Sequence, residues 1–249
     1  MNLKNITKMS TISITFGERV ENHHGMQMIG ELASSGYSIK ELLEIKERFG
    51  GELTMVSDLL PEEDRKGNEA AILIIKNFFN ADDLYKEQID LEYDMKAKMR
   101  GRVVNKRARY NLCFCDFSQE HDYEEGKGTI IDFEEVPVLR AVREKISNSF
   151  GEKALNLNAE SNLYYDINNC GIGFHGDSER KIVICLRLGE TMSLAYQWYL
   201  NSKREFQKLV FEIEHGDLYI MSEKAVGTDW KKRNIYTLRH AAGCDKYIK

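Results

Sequence analysis

Residues 162–189, NLYYDINNCGIGFHGDSERKIVICLRLG, decide how the chain is read. They break into three short apolar-rich runs, NLYYDI, GIGFH and KIVICLRLG, separated by Asn168-Asn169 and a polar turn. Runs this short, rich in β-branched and aromatic residues and bounded by turn formers, read as strands. The pattern continues to the C-terminus through LAYQWYL (194–200), KLVFEIEH (208–215), DLYIM (217–221) and IYTLRHA (235–241). A succession of short strands predicts a barrel or a sandwich. At the end of the middle run stands Phe174-His175-Gly176-Asp177. Side chains two apart on an extended chain point the same way, so His175 and Asp177 offer an imidazole and a carboxylate to one point in space. A second histidine from a distant strand would complete a facial triad with open positions, the ligand set of non-haem iron(II) oxygenases. Alone, a His-x-Asp is more often a surface turn, and the sequence around it carries the argument.

Upstream the pattern is mixed. TISITF (11–16) alternates polar and apolar residues, as a half-buried strand does. Ser38-Ile39-Lys40-Glu41 is a capping box that opens a helix with Leu42, Leu43 and Phe49 on its buried side and Gly50-Gly51 as its stop. Pro61 to Asn68 reads as a charged loop, AAILIIKNFF (70–79) as a buried strand and 81–93 as a helix. Arg102 to Phe117 reads as two strands or one long hairpin. Val138 to Phe150 is an amphipathic helix with Leu139, Val142, Ile146 and Phe150 on one stripe.

Composition bounds the function. With 42% hydrophobic and 30% charged residues and only 2 prolines, the chain suits a soluble globular protein long enough to bury a core. It has no apolar run of membrane-spanning length, and MNLKNITKMSTIS lacks the apolar centre of an export signal. The 5 cysteines, Cys113, Cys115, Cys170, Cys185 and Cys244, lack zinc-site spacing and read as free thiols of an intracellular protein, cytoplasmic or nuclear. A net charge of −5 argues against bulk phosphate binding, but Lys96 to Arg109 (KAKMRGRVVNKRAR) is locally basic. Tyr93 and Tyr110 flank it, and aromatic rings beside cations suit stacked bases, so this stretch is the candidate nucleic-acid surface. A solvated hairpin pairing with the acidic run Glu120 to Glu125 accounts for it equally well. Nothing in the sequence sets the oligomeric state.

Taken in order, Asn162-Leu163-Tyr164, Phe174-His175-Gly176-Asp177, the run ending Leu188-Gly189 and Gly216-Asp217 resemble the AlkB-like branch of the iron(II)- and 2-oxoglutarate-dependent dioxygenases. The resemblance covers about residues 70–249 and is clear from 155 on. It implies an α+β chain with a double-stranded β-helix, or jelly-roll, barrel and flanking helices over 70–249; residues 1–69 do not match the barrel and read as a small N-terminal α/β accessory module. It implies that His175 and Asp177 bind Fe(2+) and that Asn162 and Tyr164 hydrogen-bond 2-oxoglutarate. The gap from Asn-x-Tyr to His-x-Asp is about two residues longer than the family's usual one, which a bulge at Asn168-Asn169 would absorb.

The distal ligand admits two alignments. In the first, Arg233 and Arg239 match the family's paired arginines, and Asp229 or nothing is left to bind the metal. In the second, Ile235 to Ala241 is the ligand-bearing strand, His240 is the third ligand, Gly243-Cys244-Asp245 turns the chain, and Lys246 opens a last strand and pairs with the far carboxylate of 2-oxoglutarate. Such a cation is needed because a desolvated carboxylate without a partner is costly. Arg239 and His240 point to opposite faces of a regular strand. The number of strands favours the second alignment. The candidate set is therefore His175, Asp177 and His240 for the metal and catalysis, with Asn162, Tyr164, Arg239 and Lys246 for the cosubstrate.

The implied reaction is hydroxylation or oxidative demethylation of a nucleic acid, with a protein substrate equally compatible. The competing reading is a degenerate oxygenase fold that acts as a nucleic-acid or protein binding module. A metal-free structural jelly roll is a third. His23-His24 and His121 read as surface residues. The chain also resembles, less distinctly, oxygenase-like proteins of large DNA viruses and algae, which implies a virus-encoded source.

Overall fold

The computed structural model describes residues 10–249. Residues 1–9, which hold the start of the expected accessory module, lie outside the described residues. The strands are β1 (Thr11–Gly17), β2 (Arg19–Glu21), β3 (Met28–Gly30), β4 (Glu52–Met55), β5 (Ala71–Ile75), β6 (Lys96–Met99), β7 (Arg102–Asn105), β8 (Tyr110–Cys115), β9 (Ile130–Asp132), β10 (Asn158–Tyr164), β11 (Gly171–His175), β12 (Ile184–Gly189), β13 (Met192–Leu200), β14 (Lys203–Ile213), β15 (Leu218–Met221) and β16 (Thr237–Gly243). The helices are α1 (Ile39–Phe49), α2 (Glu62–Arg65), α3 (Ala81–Ile89), α4 (Pro137–Ser149), α5 (Glu223–Val226) and α6 (Asp245–Ile248).

These elements form a sheet-rich mixed α/β structure. The main sheet has eight strands in the order β4-β5-β15-β12-β1-β10-β8-β9, antiparallel except for β8–β9. A second, antiparallel sheet has the order β11-β16-β13-β14. Strand pairing does not close the two into a barrel among the described residues.

Alternation along the strands explains how the layers stack. Ile12, Ile14 and Phe16 of β1 and Ile184, Leu186 and Leu188 of β12 face one way, into a core with Leu42 and Ile45 of α1, Leu84 of α3 and Leu139, Val142 and Ile146 of α4. The other face of the main sheet sends Cys185, Tyr219, Met221 and Tyr164 against Leu194, Tyr196, Trp198 and Leu238 of the second sheet. Each fully buried Leu, Ile or Val in these layers contributes about 1.5–3 kcal/mol. TISITF is therefore buried on both faces rather than half-buried: Thr11 and Ser13 turn toward the space between the sheets and are buried there too, and Thr15 beside them is partly buried.

Other expectations shift by similar local causes. Ser38 caps α1 through the reciprocal box with Glu41, but Leu43 is exposed and Ile45 is buried in its place. The basic hairpin is β6–β7, turning at Arg100-Gly101, both at positive φ. β8 leaves it to pair with β10. The boundary near residue 70 is not a structural one, because β1 lies between β12 and β10 at the centre of the main sheet and β4 extends it beside β5. Through β1 and β4, this part of the chain is built into the same sheet as the rest.

The expected last strand at Lys246 is a correction: Asp245–Ile248 is the short helix α6. Its strand neighbour would have been β16, but β11 and β13 already occupy both edges of β16, so the backbone satisfies its hydrogen bonds locally instead.

Candidate metal centre

The second sheet delivers two histidines to one point. β11 and β16 pair antiparallel with His175 opposite His240, so both imidazoles leave the same face of the ladder. The turn after β11 carries Asp177 back toward them. Its backbone N–H donates to the Val226 carbonyl (3.0 Å), and Gly176 packs so closely on Gly227 that a Cβ there would stand 2.1 Å from the Gly227 oxygen. Only glycine fits at this approach.

The ligand atoms of His175, Asp177 and His240 all lie within 4.8 Å of one another. Asp177 Oδ1 is 3.5 Å from His175 Nε2 and 3.6 Å from His240 Nε2. His175 Nδ1 lies 2.8 Å from the Gly173 carbonyl, which can only accept, so the ring proton sits on Nδ1 and the Nε2 lone pair faces the cluster. That is the tautomer a metal ligand requires. Burial, then the neighbouring His240, push the His175 pKa down to about 4, which keeps the ring neutral at neutral pH. Burial alone would raise the Asp177 pKa. The hydrogen bond and charge of His240, with Arg180 and His175, outweigh it and hold the carboxyl ionised.

The cluster opens onto a cavity of about 350 Å³ between the sheets. Tyr164, Tyr219, Leu194 and Met221 line its inner part, and His23, His24, Glu21 and Trp230 belong to the same wall. Arg180, buried, donates to Glu160 at 2.8 Å and stands 3.7 Å from Asp177 through Nε. Asn162 accepts at Oδ1 from Arg109 Nε (2.6 Å) and Asn111 Nδ2 (2.5 Å), and donates to Glu160 Oε1 (3.1 Å). Asn162 thus steers Arg109 toward the cavity instead of presenting a free amide.

The remaining sequence candidates separate clearly. Tyr164 lines the cavity. Arg239 lies on the other face of β16 from His240, stacked over Tyr199 and Trp230 with its guanidinium carbon 3.9 Å and 5.2 Å from the ring centres, and cannot reach the cavity. Lys246 is exposed on α6, beside the Tyr247 ring. Asp229, the alternative distal ligand, is held by Lys224 at 2.8 Å. Arg233 is exposed. His215 accepts from the Gly189 N–H and lies 3.3 Å from Asp82, and His121 stacks on Tyr123. His23 and His24, read as surface residues, lie at the cavity wall. Sequence reading missed Arg109, Glu160 and Arg180 as residues of the cavity wall. The available signal was polar residues on the inward alternation of β10, namely Glu160 and Asn162 beside Tyr164.

Comparison with known proteins gives one firm placement. The chain is 47% identical over 249 residues to "Uncharacterized protein R156" of Acanthamoeba polyphaga mimivirus, covering 96% of this chain and 98% of that protein. The chain belongs to the R156 family. It matches no protein-family model. Among the described residues no helix is long and apolar enough to cross a membrane.

Proposed function

We propose that this R156-family protein is an iron(II)- and 2-oxoglutarate-dependent oxygenase on a double-stranded β-helix-like pair of sheets. One observation carries the reading: two imidazoles, one of them held by the Gly173 carbonyl with its Nε2 lone pair toward the cluster, and one ionised carboxylate converge at the wall of a cavity between the sheets. The donor set fits iron(II), because two histidines and one carboxylate on one side leave the opposite positions for ligands. His175, Asp177 and His240 would hold the metal, and bound iron(II) with 2-oxoglutarate supplies the oxidising chemistry for hydroxylating a C–H bond.

The chain's own residues do the rest. The Gly173 carbonyl fixes the His175 tautomer. Arg180 orients the free oxygen of Asp177, and the Glu160–Arg180 pair anchors that guanidinium in the wall. Tyr164, Leu194 and Met221 keep the inner cavity poor in water. The substrate class we favour is nucleic acid, supported by the exposed Lys96, Arg100, Arg102 and Arg107 on the β6–β7 hairpin. The hairpin stands beside the opening, because Lys106 at its end is buried and donates to Asn22 Oδ1 at 2.6 Å, next to His23 and His24. The viral relative supports a virus-encoded source.

The test is an anaerobic titration of the parent, His175→Ala and His240→Ala with iron(II) and 2-oxoglutarate, following the visible charge-transfer band of the chelate. A band in the parent that both variants lose is the expected result. No band in any of the three sinks the oxygenase reading and leaves a fold used for binding.

A further inference from the structure

Cys244 is the one cysteine of the chain that is not buried, and the residue facing it across the sheet is another cysteine. The β11–β16 ladder pairs Ile172 with Ala242 and Gly171 with Gly243. One step further in the same register Cys170 stands opposite Cys244, and the Cys244 N–H donates to the Cys170 carbonyl at 3.3 Å. Residues directly opposite in an antiparallel ladder send their side chains to the same face. The neighbours fix which face this is. Ile172 and Ala242, next but one to the cysteines, both line the cavity between the sheets. Gly171 and Gly243 point the other way by alternation, and a Cβ on Gly171 would meet the Tyr247 ring of α6 at 2.4 Å. Cys170 and Cys244 are therefore a facing pair on the inner side of the second sheet.

Facing residues in such a ladder have Cα atoms about 4.5–5.5 Å apart, inside the range of about 4.4–6.8 Å that a disulfide spans. The backbones approach closely here: a Cβ on Gly243 would stand 2.4 Å from the Gly171 Cα. Both thiols are free, and the Cys170 thiol lies beside the Tyr165 hydroxyl. Rotation about χ1 between staggered positions is the side-chain movement that a bond between them asks for. The two thiols differ in access. Cys170 is 0% exposed, packed in the cluster of Tyr164, Met192 and Leu194. Cys244 is partly exposed and lines a surface groove of about 370 Å³ with Met192, Ser193 and Asp245. A small oxidant reaches Cys244 before it reaches Cys170.

We propose that Cys170 and Cys244 form a redox cross-link site that ties β11 to β16, with Cys244 as the thiol that a peroxide oxidises first. The Cys244 thiolate attacks hydrogen peroxide, breaks its O–O bond and forms an S–OH group, and hydroxide leaves. Cys170 gives its proton to that hydroxide and attacks the Cys244 sulfur. The S–S bond forms, the S–O bond breaks, and the second hydroxide leaves and takes up the proton that Cys244 gave up. Two thiols are oxidised to one disulfide and the peroxide is reduced to two waters. β11 carries His175 and β16 carries His240 in the same ladder, so the bond fixes the register that sets the two imidazoles opposite each other. The site needs no metal and stands independently of the oxygenase reading.

The test uses the full chain with metal removed by a chelator. It is treated with a few equivalents of hydrogen peroxide, its thiols are counted after denaturation, and its peptides are mapped by mass spectrometry. The thiol count is expected to fall from 5 to 3, the 5 cysteines less the two in the bond. One linked peptide pair should hold Cys170 and Cys244, and dithiothreitol should restore the count. The unfolding midpoint of the oxidised chain should rise by roughly 5 °C or more over the reduced one. Cys244→Ser should lose no thiol and show no rise. Cys170→Ala should stop at the sulfenic acid of Cys244, which dimedone tags. If Cys170→Ala does not fold, the peptide map of the parent and Cys244→Ser decide. A parent that keeps every thiol, a parent tagged by dimedone at Cys244 without a cross-link, or a bond between other cysteines overturns the assignment. A Cys170–Cys244 bond without a higher midpoint overturns its role as a tie between the strands.

Discussion

His175 and His240 face each other across the β11–β16 ladder with ring centres 4.5 Å apart and planes inclined at 61°. Two imidazole rings this close, with Asp177 beside both Nε2 atoms, make a donor set whose members depend on one another. Replacing Asp177 by Asn keeps the shape and removes the anionic ligand. Iron(II) affinity of Asp177→Asn, measured by anaerobic calorimetry, should fall by at least about 100-fold, the scale that losses in the outer shell of a metal site alone can reach. An unchanged affinity would place the metal elsewhere.

Gly176 is the spacer that lets Asp177 reach the histidines. Its Cα approaches Gly227 at a distance no side chain tolerates, and a Cβ would also meet Trp230 at 2.8 Å. Gly176→Ala should cost about 1–3 kcal/mol of stability in urea denaturation. It should also weaken iron(II) binding, because the added methyl pushes the turn off the Val226–Gly227 anchor. Loss of stability with full metal affinity would show that the turn is not coupled to the site.

Lys106 makes stability depend on alkaline pH. Burial lowers its pKa to about 8 from the unfolded value near 10.5, with Asp94 opposing and Arg109 reinforcing. Between these values the unfolded chain binds the proton and the folded chain does not, so stability from this group rises with pH across roughly pH 8 to 10.5, by up to about 3 kcal/mol. The parent should gain that amount relative to Lys106→Met between pH 7 and about pH 10.5 in urea denaturation, with tyrosine and cysteine titrations common to both chains. A constant difference between the two would mean that Lys106 is solvated.

The β6–β7 hairpin offers a separable test of substrate class. Arg100, Arg102 and Arg107 are exposed, whereas Lys106 is consumed by Asn22. Neutralising the three arginines together should weaken binding of a single-stranded oligonucleotide and lower the slope of log K against log salt by about 2. Lys106→Met should leave that slope alone. Binding with an unchanged slope in the triple variant would favour a protein substrate.

Glu160 and Arg180 form a buried pair at 2.8 Å, with Glu179 a further 3.2 Å contact. Glu160→Ala strips one acid from a buried guanidinium and the acceptor from Asn162 Nδ2, and should cost about 3 kcal/mol or more in denaturant titration. A cost below about 1 kcal/mol would mean that Glu179 and Asp177 neutralise Arg180 without help.

Much of the architecture was legible where a local rule operates. The Ser38–Glu41 box, the apolar stripe of α4 and the short strands after residue 155 are encoded within a few residues of one another, and they stand where the pattern puts them. The conjunction of His175, Asp177 and His240 was readable in part for the same reason: His-x-Asp is a local spacing, and the opposite facing of Arg239 and His240 follows from strand alternation. Partners across the sheets were not readable. That β1 lies between β12 and β10, that α6 replaces a last strand, and that Lys246 stands away from the cavity all depend on which edges are already taken and which row of the sheet a residue joins. Composition and periodicity determine which face of a strand is inward. Only the long-range register determines what that inward face meets, because the free energy of pairing two strands belongs to both and is written in neither alone.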